Sequence, residues 1–164
     1  MSTKDIKMLE KNIERLREQI AGAQEALVLA ERLDKPRIKQ VISKLREELR
    51  DFDQEKWNLI AEVTSDSEIA NDEAESLVAE LVATATNPPD DTSAEVLAFL
   101  QQILTKINEQ DKTAAAKLKG AISLLPPFVS LVFETELDTE NTVKKYFPTF
   151  SRWIKKEAVG RLKK

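Results

Sequence analysis

The chain has 164 residues, of which 33% are charged and 5% aromatic, with three Gly, no Cys and no His, and a formal net charge of −4. That length suits one compact domain, or a small domain carrying a helical arm, and it is enough to bury a core. Without Cys there are no disulfides or thiolate metal sites, and without His the usual general base and the commonest metal ligand are missing. The profile fits a helical protein with coiled-coil content better than an all-β one.

Charge is unevenly placed. Residues 1–63 hold 13 basic and 13 acidic side chains, residues 64–113 hold 2 and 11, and residues 114–164 hold 10 and 5. An acidic middle is thus followed by a basic tail, in which residues 142–164 carry 8 basic side chains against Glu157 alone. The Met-Ser-Thr-Lys-Asp start lacks the apolar core of a signal peptide, and no run of apolar residues is long enough to cross a membrane, so a cytoplasmic location is expected.

The first element is a heptad helix from about Ser2 to Leu33. Ile6, Leu9, Ile13, Leu16, Ile20, Ala23, Leu27 and Ala30 recur in alternating steps of three and four, the signature of a narrow stripe laid against a partner helix. Asp34-Lys35-Pro36 breaks it, with Asp34 placed to cap the next helix and Pro36 suited to a first turn. The second helix carries Ile38, Ile42, Leu45, Leu49, Phe52, Leu59 and Val63, with Lys56 interrupting the stripe. So short a connection folds the pair into an antiparallel hairpin over residues 1–64.

Residues 65–164 read as a compact bundle of shorter helices ending in a basic aromatic tail. Ser65 and Glu68 have capping-box spacing ahead of a helix bearing Ile69, Leu77, Leu81 and Val82. Asn87 to Asp91, with Pro88 and Pro89, is a loop. Thr92 and Glu95 repeat the capping-box spacing before Val96, Leu97, Leu100, Ile103, Leu104 and Ile107. Asp111 starts a fifth helix with Ala115, Leu118, Ala121, Ile122 and Leu125. The uncharged run 121–133 is broken by Pro126-Pro127 into two buried pieces, the second a short helix containing Phe128 and Phe133. A further helix opens at Asp138 or Thr139 and runs to Phe147, and Pro148 separates it from a tail bearing Phe150, Trp153, Ile154 and Leu162. The fold class expected is therefore all-α: a long antiparallel, coiled-coil-like hairpin followed by a helical bundle.

Leu124-Leu125-Pro126-Pro127, the stretch Glu134 to Asn141, and Tyr146-Phe147-Pro148-Thr149-Phe150 together resemble a short helical module of cyanobacterial multidomain proteins that also carry pentapeptide repeats or signalling NTPase modules. The resemblance covers about residues 114–156 and leaves the hairpin unmatched. It implies a cyanobacterial, cytoplasmic origin and an association role, and it carries no catalytic residues.

Catalysis would have to rest on Asp, Glu, Lys, Ser, Thr or Tyr. The clusters Asp72-Glu73-Glu75 and Glu134-Glu136-Asp138-Glu140 have the composition of a divalent-ion site or a carboxylate pair, yet they sit where helix starts favour negative charge. No enzyme activity, metal or cofactor is expected. Gly22, Gly120 and Gly160 are isolated inside helical patterns, so there is no phosphate loop. The tail lacks a reading motif and the acidic middle would repel a polyanion, so nucleic acid is not an expected partner.

Two functions remain. The first is a protein–protein interaction or oligomerisation module: Ile6, Leu9, Ile13, Leu16, Ile20 and Leu27 form a self-association seam longer than the bundle can cover, implying a homodimer and a protein partner. The second is a membrane-surface or membrane-perturbing protein using the 121–133 run and the tail. There Lys144, Lys145, Arg152, Trp153, Lys155 and Lys156 combine basic charge with an aromatic face.

Overall fold

The computed structural model describes the backbone of residues 2–66, 68–109, 112–132 and 139–160, and the side chains of residues 6–66, 68–109, 112–129 and 139–157. All regular structure among them is helical: α1 (Ser2–Leu29), α2 (Lys35–Ser65), α3 (Asn71–Thr86), α4 (Ala94–Ile107), α5 (Ala114–Ile122), α6 (Leu125–Val132), α7 (Thr139–Tyr146) and α8 (Pro148–Gly160). The all-α expectation holds, and α1 packs along α2 as a hairpin.

At 1.5 Å per residue α1 is about 42 Å long and α2 about 46 Å, against about 24 Å for α3. Only the hairpin's base joins the rest. Ile6 of α1 and Trp57, Ile60 and Val63 of α2 enter the same core as Leu81, Phe99, Leu118, Phe128 and Phe150. A boundary at residue 64 therefore divides the sequence but not the core, which both parts share. Beyond the base, α1 and α2 pack on each other through Ile13, Leu16, Ile20 and Ile42.

Several helix starts differ from the sequence reading by a few residues. Asp34 precedes α2 in helical conformation and its side chain accepts no capping bond; Pro36 in the first turn makes the stop. Ser65 does not cap α3, because α2 runs on through Ser65 and α3 begins after the extended Ala70. Ser93, not Thr92, caps α4, accepting from the Val96 N–H at 3.3 Å, while the Thr92 hydroxyl accepts from Tyr146 Oη at 3.3 Å. Thr113 caps α5, accepting from the Ala116 N–H at 3.1 Å; Asp111 lies outside the described residues. Each shift has one cause. Ser, Thr and Asp all suit a cap, so tertiary contacts choose among neighbours.

The Pro126-Pro127 corner forms as a turn at Ser123-Leu124, with both prolines in the first turn of α6, where a missing N–H is harmless. Gln54 Nε2 donates to the Pro126 carbonyl at 2.8 Å and ties this corner to α2. Leu125 and Phe128 are buried and Leu124 is half-buried; Phe133, Asp138 and Leu162 lie outside the described residues. Pro148 opens α8, whose Thr149 N–H donates to Glu80 Oε1 at 3.1 Å, and Thr84 Oγ1 donates to the Tyr146 carbonyl at 3.1 Å. These bonds fix α7 and α8 against α3.

Candidate functional site

Two surfaces stand out, one at the base of the hairpin and one along its arm. At the base, Lys56 occupies a position on the α2 stripe that its neighbours fill with apolar side chains, and it is 3% exposed. Its ammonium donates to Glu140 Oε2 of α7 at 3.1 Å and lies 3.8 Å from Glu10 Oε1 of α1. Lys155 of α8 pairs with the other Glu140 oxygen at 2.8 Å. Three helices thus meet at one carboxylate, and Glu10 brings in α1 through Lys56. Partial burial pushes the Glu140 carboxyl up, but the charge of Lys56 and the bonds from Lys155 and Lys56 outweigh it and hold it at about 2. The bond and charge of Glu140 in turn raise Lys155. An open cleft of roughly 500 Å³ lies over this node, lined by Lys7, Lys11, Arg17 and Asn141 together with Glu10 and Glu14. With every charge at its floor already matched, the node serves as a clamp between hairpin and bundle.

The arm is different in kind. Of the seam residues, Ile6, Leu9, Ile13, Leu16 and Ile20 are buried within the chain and Leu27 is half-buried. α2 folds back along this stripe, so the hairpin itself shields these positions within one chain. What stays open is elsewhere. From Lys35 to Asp53 the one buried side chain of α2 is Ile42. Ile38, Leu45, Leu49 and Phe52 are half-buried, and Val41 is 46% exposed. At the tip, Val28, Leu29 and Leu33 are 80%, 86% and 92% exposed. Apolar patches of this sort on a protein surface mark interaction sites more often than chance exposure does.

The tail is resolved against its surface reading. Tyr146, Phe147, Phe150, Trp153 and Ile154 are all buried, with Phe150 stacked on Trp153 at a centroid distance of 6.4 Å. Lys144, Lys145, Arg152, Lys155 and Lys156 are exposed on the outside, but the aromatic face expected among them points inward. Trp153 is 6% exposed and so takes the core position, as the other aromatics of the tail do. Rings of this size gain more from burial in the core than any solvent-facing arrangement would allow. In a Trp57→Phe background, the Trp153 emission maximum is expected to stay put when anionic vesicles are added. A blue shift reversed by salt would show that the tail leaves the core.

Among the described residues the acidic clusters form no shared site. Asp72, Glu73 and Glu75 are exposed on the first turns of α3, Glu134, Glu136 and Asp138 lie outside the described residues, and Glu140 belongs to the node. Among the described residues no group of three acidic side chains is placed to hold a metal, and no helix is long and apolar enough to cross a membrane. The node and the arm were both marked in the sequence: a lysine inside an apolar stripe, and Val28, Leu29 and Leu33 off the heptad register beside a break. No protein-family model, curated protein or solved structure matches the chain.

Proposed function

We propose that this protein is a non-enzymatic association module that works by helix–helix packing, with the hairpin arm as its contact element. The observation that carries the reading is the α2 stripe Ile38, Val41, Leu45, Leu49 and Phe52, which the chain leaves half-buried, with Val41 46% exposed. Isolated two-helix arms bury too little to be stable on their own, and a second pair of helices completes the layer. The clamp at Lys56 and Glu140 supports the same reading, since it holds the base of the arm rigidly against the bundle. A homodimer is the expected assembly.

Sedimentation at micromolar concentrations tests it. The wild-type chain is expected to run as a dimer. Val41→Glu is expected to run as a monomer with unchanged helicity, because a carboxylate on a side chain 46% exposed costs the monomer little. A wild-type chain that stays monomeric at high micromolar concentration would remove the self-association reading.

A further inference from the structure

We infer that α2 pairs antiparallel with α2 of a second copy, about a two-fold axis close to Leu45 and Arg46. This rests on the association reading above and adds to it the partner, the face and the register.

Two independent patterns on α2 carry it. The first is apolar. Ile38, Val41, Leu45, Leu49 and Phe52 follow in steps of three, four, four and three, a spacing that reads the same from either end with Leu45 at its centre. At about 100° per residue all five fall within about 40° of Leu45 around the helix. An isologous contact requires such self-complementarity, because the patch must meet its own image. Ile38 then lies across from the partner subunit's Phe52, Val41 from the partner's Leu49, and Leu45 from its own copy. The partially covered half of the arm is the half that carries the palindrome.

The second pattern is charge. From Lys35 to Arg46, α2 carries five basic side chains and no acidic one; from Glu47 to Glu55 it carries five acidic and one basic. Parallel pairing would set like against like. Antiparallel pairing centred one residue further on, at Arg46, sets Arg37 against the partner's Glu55 and Lys44 against the partner's Glu48, an axial offset of about 3 Å from the apolar register that long charged side chains span. These four side chains share the outer edge of the apolar stripe and are all exposed. Charge complementarity along a helix edge selects orientation and partner. The overlap spans about 30 Å of helix, and it lays each hairpin tip beside the base of the other arm.

Charge exchange between Arg37 and Glu55 is the decisive test, because 18 residues separate them and they cannot meet within one helix. Arg37→Glu and Glu55→Arg are each expected to weaken the dimer about tenfold, and the double variant to restore it. Nitroxide labels give a second readout, using the absence of Cys. Along the helix axis, labels at Ser43→Cys are expected to lie about 6 Å apart across the dimer and labels at Lys35→Cys about 30 Å apart, so the first pair is the closer. A dimer with neither rescue nor that difference overturns the register and leaves the association reading standing. A wild-type monomer overturns both.

Discussion

Phe128→Ala is expected to destabilise the protein by ~3–5 kcal/mol, which for a chain of this size lowers the melting temperature by roughly 10 °C. The ring is 2% exposed and stacks on Phe99 at 4.0 Å and 17°. It projects from α6 immediately after two prolines, and Gln54 holds the preceding turn at 2.8 Å. The backbone is thus pinned on the N-terminal side of the ring, which limits how far the cavity left by it closes by local collapse. Phe99→Ala should cost a similar amount, with the double variant falling short of the sum by about 0.5–1.5 kcal/mol, the usual coupling of stacked rings. Thermal denaturation followed by circular dichroism reads all three. An unchanged melting temperature in Phe128→Ala would mean that α6 does not hold the junction between the arm and the bundle.

The hairpin was legible because two period signals agree there. An unbroken heptad from Ile6 to Ala30 and a proline break at Pro36 leave little else for residues 1–64 to do. A heptad stripe states that a helix has a partner, but not which helix, and α2 takes that role within the chain. The open surface belongs to α2, whose apolar face is three positions wide rather than two. That width exceeds a strict two-position seam, and Val41 is the residue that broadens it.

The ends of the chain behave in the opposite way. Aromatic residues among lysines fit an interfacial helix and a core helix with a charged outside equally well, since both place rings on one side and ammonium groups on the other. Only tertiary contacts separate them, and here Thr84, Glu80 and Thr92 tie α7 and α8 to α3 and the loop before α4. The caps were misplaced for a related reason. Thr92 and Ser93 are equally able to cap α4, and Tyr146, more than 50 residues away, takes the Thr92 hydroxyl.

The strongest electrostatic effect is expected at Lys56. Lys56→Met removes the buried ammonium from one Glu140 oxygen and leaves the exposed Lys155 on the other. Breaking a buried pair on one side costs ~3–5 kcal/mol; with the Glu140 side chain still 23% exposed, ~2–3 kcal/mol is the expected loss at neutral pH. The pH dependence follows from the direction of the Glu140 shift. Its carboxyl titrates at about 2 in the folded chain against an ordinary 4.5. Its stabilising contribution is therefore fully present above about pH 4.5 and is lost as pH falls toward 2. Lys56→Met lets the folded-state value rise, so the variant has less of this contribution to lose. The stability gap between the two proteins should be widest near neutrality and narrow as pH drops through that window. Adding Glu140→Gln to Lys56→Met should recover part of the loss, because the half-buried carboxylate charge that Lys56 balanced is then gone and Lys155 is exposed to water. Urea denaturation at pH 7, 4 and 3 reads the series. A gap independent of pH, or a double variant weaker than Lys56→Met alone, would show that Lys56 acts by packing and that the four-helix clamp is not electrostatic.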